Sequence, residues 1–342
     1  MFLSSYEFTY TLKRLVFFAI NSVAPLTLMT LHSSLRDAIL SSLIISPLGI
    51  SLYLYLRSSW PKTGLYDAIQ GSRLGKVQLY SWVVSYFLYL SYTLDYAVFY
   101  DLNLHGVVAY SLLGLLTLLT GLVLLGRAEM LLIPLALGQL GLAFLYWTPS
   151  PAQAQHTIDF LDILNSSLLL VCMTLIPYAD GEPKMAWVVP ISLGVGVGSL
   201  IAGSFLVTPL SQIYGSISMI GLVMVEGLAL NRVFRSQKVN PMFLLTGFLV
   251  SVLISLISPL TYYNLTIAPS VALLYLSLFL AFAYLLTGVG RIFSWASAGL
   301  MMYGLYNSFL VGDLIQQVSI LLAIFVIVLV GLTLKRKGAS TP

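Results

Sequence analysis

Long apolar runs recur along the whole chain, separated by short polar or charged breaks. The runs are apolar on all sides and most approach the roughly 20 residues that a helix needs to cross a bilayer's hydrocarbon core. Only helices and closed barrels span membranes, because every backbone N–H and C=O must be paired internally. A barrel would show segments of about 10 residues alternating in polarity, which this chain lacks. The pattern predicts an all-α polytopic membrane protein with twelve spans. They run over about 14–31, 38–56, 77–100, 105–126, 130–147, 162–178, 185–206, 210–230, 242–260, 267–287, 291–310 and 314–334. The longest connections, 57–76 and 148–161, are too short for a soluble domain.

Composition agrees. Hydrophobic residues make up 59% of the 342 positions and charged residues only 8%, against about 25% charged in soluble domains. Lys13 and Arg14 precede an apolar stretch, but no small-residue cleavage site follows, so no removable signal is expected. The single cysteine, Cys172, excludes an intramolecular disulfide and a cysteine metal cluster. No cofactor is expected. The net charge of +4 reports orientation in a membrane protein rather than nucleic-acid binding.

Orientation follows from where the charges fall. With both termini inside, all but Arg36 of the 16 basic residues lie on the inner side, as the positive-inside rule requires. A miscounted span in the middle would destroy this asymmetry, so it supports the count as well. Asp37, Asp101, Asp159, Asp162 and Asp313 then fall in outer loops. The glycosylation tripeptide Asn264-Leu265-Thr266 also falls in a predicted outer loop. The reading is a multi-pass plasma-membrane protein with both ends cytoplasmic.

Two carboxylates remain inside spans, Asp95 and Glu226. Each charge at mid-membrane costs about 2.5–3.5 kcal/mol on insertion scales, so each is a candidate proton or cation site. Snorkelling to an interface, or for Glu226 an ion pair with Arg232, is the plainer alternative. Tyr86, Tyr89, Tyr92, Tyr96 and Tyr100 follow at steps of three and four, which puts them on one helical face, as an aromatic wall along a solute path or as inter-helix packing. In span 1, Pro25 removes a backbone donor and clashes with the carbonyl of Asn21. Asn21 and Ser22 can satisfy the freed groups, so a break or a proline kink is expected at mid-span. Gly194, Gly196 and Gly198 lie inside an apolar span and suit close helix packing. His32, His105 and His156 fall at the outer ends of spans with no ligand spacing. No protease, nucleotide-binding or serine-nucleophile motif is present, so no enzyme is expected.

Three segments resemble the amino acid–polyamine–organocation (APC) superfamily of permeases. Trp60-Pro61-Lys62-Thr63-Gly64-Leu65-Tyr66 is similar to the family's aromatic-Pro-x-x-Gly-Gly-x-Tyr loop before helix 3, with Leu65 in place of the second glycine. Gly181-Glu182-Pro183-Lys184, followed by Val188-Val189-Pro190, resembles the segment that enters helix 7. Asn231-Arg232-Val233-Phe234, followed by Asn240-Pro241, resembles the end of helix 8. The resemblance implies a LeuT-like core of two inverted five-helix repeats, residues 1–147 and 148–287, with helices 11 and 12 in 288–342. It places a solute between broken helices 1 and 6 near the midplane. Span 1 has no glycine where the family's helix breaks, span 6 lacks the usual glycine near Thr174, and span 5 carries Gln139 rather than a basic residue.

The expected function is secondary transport of an amino acid, amine or similar small organic solute, coupled to H+ or Na+. Asn21, Ser22, Ala24, Pro25, Tyr89, Tyr96 and Thr174 are the solute-contact candidates. Glu226, Asp95, Ser216 and Ser218 are the ion-coupling candidates. The alternative is a permease-like scaffold serving as a non-transporting subunit, with a protein partner. The bilayer is a partner in both readings, and nucleic acid in neither.

Overall fold

A computed structural model describes residues 5–31, 34–149, 163–164 and 167–333. His32, His156, Asp159 and Asp162 lie outside them. Every predicted span overlaps a helical segment. The α-helices are α1 (Ser5–Ser22), α2 (Pro25–Met29), α3 (Leu35–Ser58), α4 (Gly75–Asp95), α5 (Gly106–Leu124), α6 (Leu132–Leu142), α7 (Val188–Phe205), α8 (Ser211–Ser236), α9 (Pro241–Ser255), α10 (Pro259–Tyr284), α11 (Arg291–Val311) and α12 (Leu314–Thr333). Seven helical stretches are long and apolar enough to cross a membrane: Thr11–Met29, Leu35–Ser58, Gly106–Leu124, Pro183–Phe205, Ser211–Ser236, Leu265–Tyr284 and Leu314–Thr333. In α4 and α11, recurring Ser and Tyr dilute the apolar content. The remaining apolar helices are shorter. The molecule is an all-helical, polytopic bundle suited to a membrane.

Span 1 is broken. α1 ends at Ser22 and α2 starts at Pro25. Between them Ala24 takes the left-handed conformation at φ 45° and ψ 62°, which a residue with a Cβ adopts only at a cost. The backbone closes the gap with tighter bonds, Val23 N–H to Ile20 O at 3.4 Å and Ala24 N–H to Asn21 O at 3.3 Å. The Ala19 carbonyl loses its regular i+4 donor. Two hydroxyls take it up, Ser22 at 2.8 Å and Ser192 of α7 at 3.0 Å. Buried carbonyls are rarely left unpaired, so these serines hold the break open at little cost.

Span 6 is irregular in another way. Leu169–Tyr178 is a ten-residue 3₁₀ helix, whereas runs beyond three or four residues are uncommon and mark strain or hinges. It packs on α1, and α7 seals the pair. Of Gly194, Gly196 and Gly198 in α7, Gly196 permits this approach. A Cβ there would meet Leu170 at 2.4 Å, while at Gly194 and Gly198 it would meet nothing within 4 Å.

α8 is the most enclosed of the seven long stretches and α12 the least. α8 contacts α1, α2, α4, α5 and α6, and α10 packs along α4, α11 and α12. A short antiparallel pairing of Thr148–Pro149 with Leu206–Val207 joins the loops after α6 and α7.

Three boundaries depart from expectation. α8 continues to Ser236, because Asn231 to Arg235 carry the helix past the apolar run. α10 begins at Pro259, so Asn264-Leu265-Thr266 lies in its first turns and not in a loop. Asp37 likewise sits in the first turn of α3, its N–H bonded to the Ser34 hydroxyl at 3.1 Å.

Candidate functional site

The centre of the bundle holds a buried carboxyl among aromatic rings. Gln78, Trp82 and Tyr86 lie four residues apart on α4 and therefore share one face. Trp82 stacks on Tyr178 with ring centroids 4.0 Å apart and tilts against Tyr86 at 4.8 Å. Thr174, Cys172 and Glu226 surround Tyr86. Glu226 enters from α8 at 1% exposure, and neither carboxyl oxygen has a hydrogen-bond partner among the described residues. The Trp82 indole N–H has none either. An uncompensated buried charge is very costly, and buried groups in that position neutralise instead. The cluster around Glu226 is buried and polar at its centre, and the carboxyl can take up a proton there.

The plainer reading for Glu226, pairing with Arg232, does not hold. Six residues along a helix turn the side chain by about 240°, so the two point apart. Arg232 instead joins an ion cluster at the end of the bundle where the basic residues gather. Its Nη2 lies 2.8 Å from Asp180 and 4.0 Å from Glu129, and Glu129 lies 3.2 Å from Arg14. Arg232 also donates to the Tyr178 carbonyl at 3.2 Å. Four segments are tied together here: α1, the turn before α6, the end of the 3₁₀ segment and α8.

The loop that resembles the permease signature docks against the same place. Gly64 is left-handed at φ 65°, and a Cβ on it would fall 2.1 Å from the Tyr178 ring, so only glycine fits. The Trp60 indole N–H donates to the Ala179 carbonyl at 2.8 Å. Asp67 caps the turn by accepting from the N–H groups of Lys62 and Thr63 at 2.6 and 3.1 Å.

The solute-contact candidates separate. Asn21 is fully buried and fully engaged. Its amide donates to the carbonyls of Phe17 at 2.8 Å and Leu132 at 2.9 Å, and its oxygen accepts from Gln139 at 2.7 Å. Gln139 in turn accepts from Ser218 at 2.6 Å. Asn21, Gln139 and Ser218 thus brace α1 against α6 and α8. Gly221 makes room for them, since a Cβ there would lie 2.5 Å from the Asn21 oxygen. Ser22 caps Ala19, Pro25 starts α2, and Ala24 forms the break. Thr174 faces the central cluster, beside Tyr86. Tyr89 and Tyr96 do not reach it. They are half-buried on a neighbouring face of the α4 segment, in ring pairs with Tyr92 at 5.0 Å and Tyr100 at 5.7 Å.

The ion-coupling candidates separate too. Ser216 donates to Asp101 at 3.2 Å near the opposite end of the bundle, away from Ser218. Burial raises the Asp101 carboxyl above its ordinary range, and the Ser216 bond partly offsets this. Asp95 is fully buried beside Ser255 of α9, one residue before the chain enters a π turn at Tyr96–Asp101. His105 is exposed. No group of three or more His, Cys, Asp or Glu suited to a metal ion occurs among the described residues.

Sequence reasoning missed Trp82, Tyr178, Glu129 and Asp180. The four-residue spacing of Gln78, Trp82 and Tyr86 was a usable signal. The ion cluster joins segments more than 100 residues apart and has no local signature. Compared with known proteins, the sequence matches no family model and no curated protein.

Proposed function

We propose that the chain is a secondary transporter of a small organic solute, built on the LeuT-like inverted repeat of the APC superfamily and working by alternating access. The observation that carries this reading is Glu226, fully buried and unpartnered, set between two spans of broken or tightened backbone. Irregular backbone at membrane depth is tolerated where it is enclosed by protein or lines a cavity, and transporters of this architecture place substrate at such breaks. The packing fits the repeat. Spans 1 and 6, 2 and 7, 3 and 8, and 4 and 9 each touch their counterpart.

In this reading the solute lies against Thr174, Tyr86 and the backbone of Val23 and Ala24. Glu226 carries the coupling proton. Asn21 and Ser218 position the break rather than contact the solute. The ion cluster of Arg14, Glu129, Arg232 and Asp180 is the closed inner gate, with both termini cytoplasmic in the plasma membrane. Purified protein in proteoliposomes, offered a panel of amino acids and amines under an imposed pH or sodium gradient, accumulates at least one class of them. If no member of a broad panel moves, the transport reading fails. Recovery instead of a stoichiometric partner subunit at native expression would favour the scaffold.

A further inference from the structure

A second buried carboxyl, Asp95, lies at the far end of α4 from Gln78 and Trp82, where α4 packs on α9 and α10. α4 and α9 pack side by side, and each presents two polar residues one turn apart, Ser91 and Asp95 on α4, Ser251 and Ser255 on α9. The first rung is complete. Ser251 donates to Ser91 at 3.0 Å, and the Tyr262 hydroxyl of α10 lies 2.6 Å from Ser91 and bonds Ser251 as well. The second rung is not. Asp95 is fully buried, and neither of its oxygens accepts a well-formed hydrogen bond. Ser255 lies beside it, but that hydroxyl gives its proton to the Val252 carbonyl at 2.7 Å, which leaves its lone pairs free.

Among the described residues no side-chain cation perturbs Asp95. α5, α9, α10 and α12 contain no Lys or Arg. The basic residue of α4, Lys76, stands 19 positions earlier, about 28 Å along the helix. Arg232 and Arg235 of α8 lie at that same far end. A carboxyl, hydroxyl oxygens with free lone pairs and no nitrogen or sulfur donor make a site for a hard cation. One carboxylate balances one positive charge. A divalent ion would leave a net charge in a low-dielectric place and ordinarily requires more oxygen ligands. Tyr100, within electrostatic reach of Asp95, is 37% exposed, so Asp95 lies near this end of the bundle.

We infer that Asp95 and Ser255, above the Ser91–Ser251–Tyr262 rung, form a binding site for a monovalent alkali cation between α4, α9 and α10. The site is distinct from the Glu226 cluster and stands whether or not the chain moves a solute. The test uses the full chain in detergent, with NaCl exchanged for choline chloride at constant ionic strength, and ²²Na+ as the binding probe. The wild type binds ²²Na+ saturably, and its melting midpoint rises with Na+ but not with choline. Asp95→Asn abolishes both effects, and Ser255→Ala raises the half-saturating Na+ concentration several-fold. Absence of saturable ²²Na+ binding by the wild type overturns the inference, as does unchanged binding by Asp95→Asn. If Asp95→Asn fails to fold, Ser255→Ala carries the comparison, and an unchanged half-saturating Na+ concentration there overturns the inference. A wild type that moves solute but binds no ²²Na+ would sink this site alone and leave the transport reading standing.

Discussion

At residue scale, the polar groups within the bundle fall into two kinds. Asn21, Gln139 and Ser218 are saturated with partners, and their role is to hold three helices in register. Glu226 and Asp95 have no hydrogen-bond partner among the described residues, and such groups in native proteins call for a ligand, water or a functional role. The two kinds respond differently to substitution. Asn21→Ala leaves Gln139 and the Leu132 carbonyl unsatisfied and costs about 1–3 kcal/mol, seen as a lower melting midpoint in detergent. Glu226→Gln keeps shape and removes the ionisable group, so its melting midpoint stays at or above that of the wild type. A large loss of stability in Glu226→Gln would show that the carboxyl is structural.

Element scale puts the weight on the break in span 1. Pro25 and the absence of a regular donor were visible in the sequence, and the interruption falls at Val23–Ala24, within the expected Asn21–Pro25 window. The left-handed Ala24 was not foreseeable, since nothing in the residue type asks for it. Because Ala carries a Cβ, Ala24→Gly relieves the strain and is neutral or stabilising by up to about 1 kcal/mol. Ala24→Val, β-branched at a positive φ, destabilises by more than that. Thermal unfolding of the two variants side by side checks the pair, and the opposite order would contradict the backbone assignment. The 3₁₀ course of Leu169–Tyr178 was invisible to hydropathy, because a 3₁₀ and an α-helix of the same apolar residues read alike. Helix ends were legible where Pro or Asn marks them, as at Asn240-Pro241. They were missed where polar residues continue a helix beyond its apolar run, as in α8.

On the scale of the whole molecule, the membrane character and the order of the helical segments were legible from the spacing of apolar runs. Which polar residues meet was not, because helices far apart in sequence create those meetings. The ion cluster shows this most clearly, joining Arg14 and Glu129 over 115 positions. If that cluster closes the inner end, Arg232→Ala opens a path to the centre. Cys172, the chain's sole cysteine, flanks Glu226 there and serves as a reporter without background. Its alkylation by a water-soluble maleimide becomes faster in Arg232→Ala than in the wild type. An unchanged rate would mean that the cluster is not a gate.

Coupling through Glu226 is decided by solute accumulation in proteoliposomes under an imposed pH gradient, wild type beside Glu226→Gln. The wild type accumulates solute uphill and loses it when the gradient collapses, and the variant only equilibrates downhill. Equal gradient-driven accumulation by both proteins would rule out coupling through Glu226.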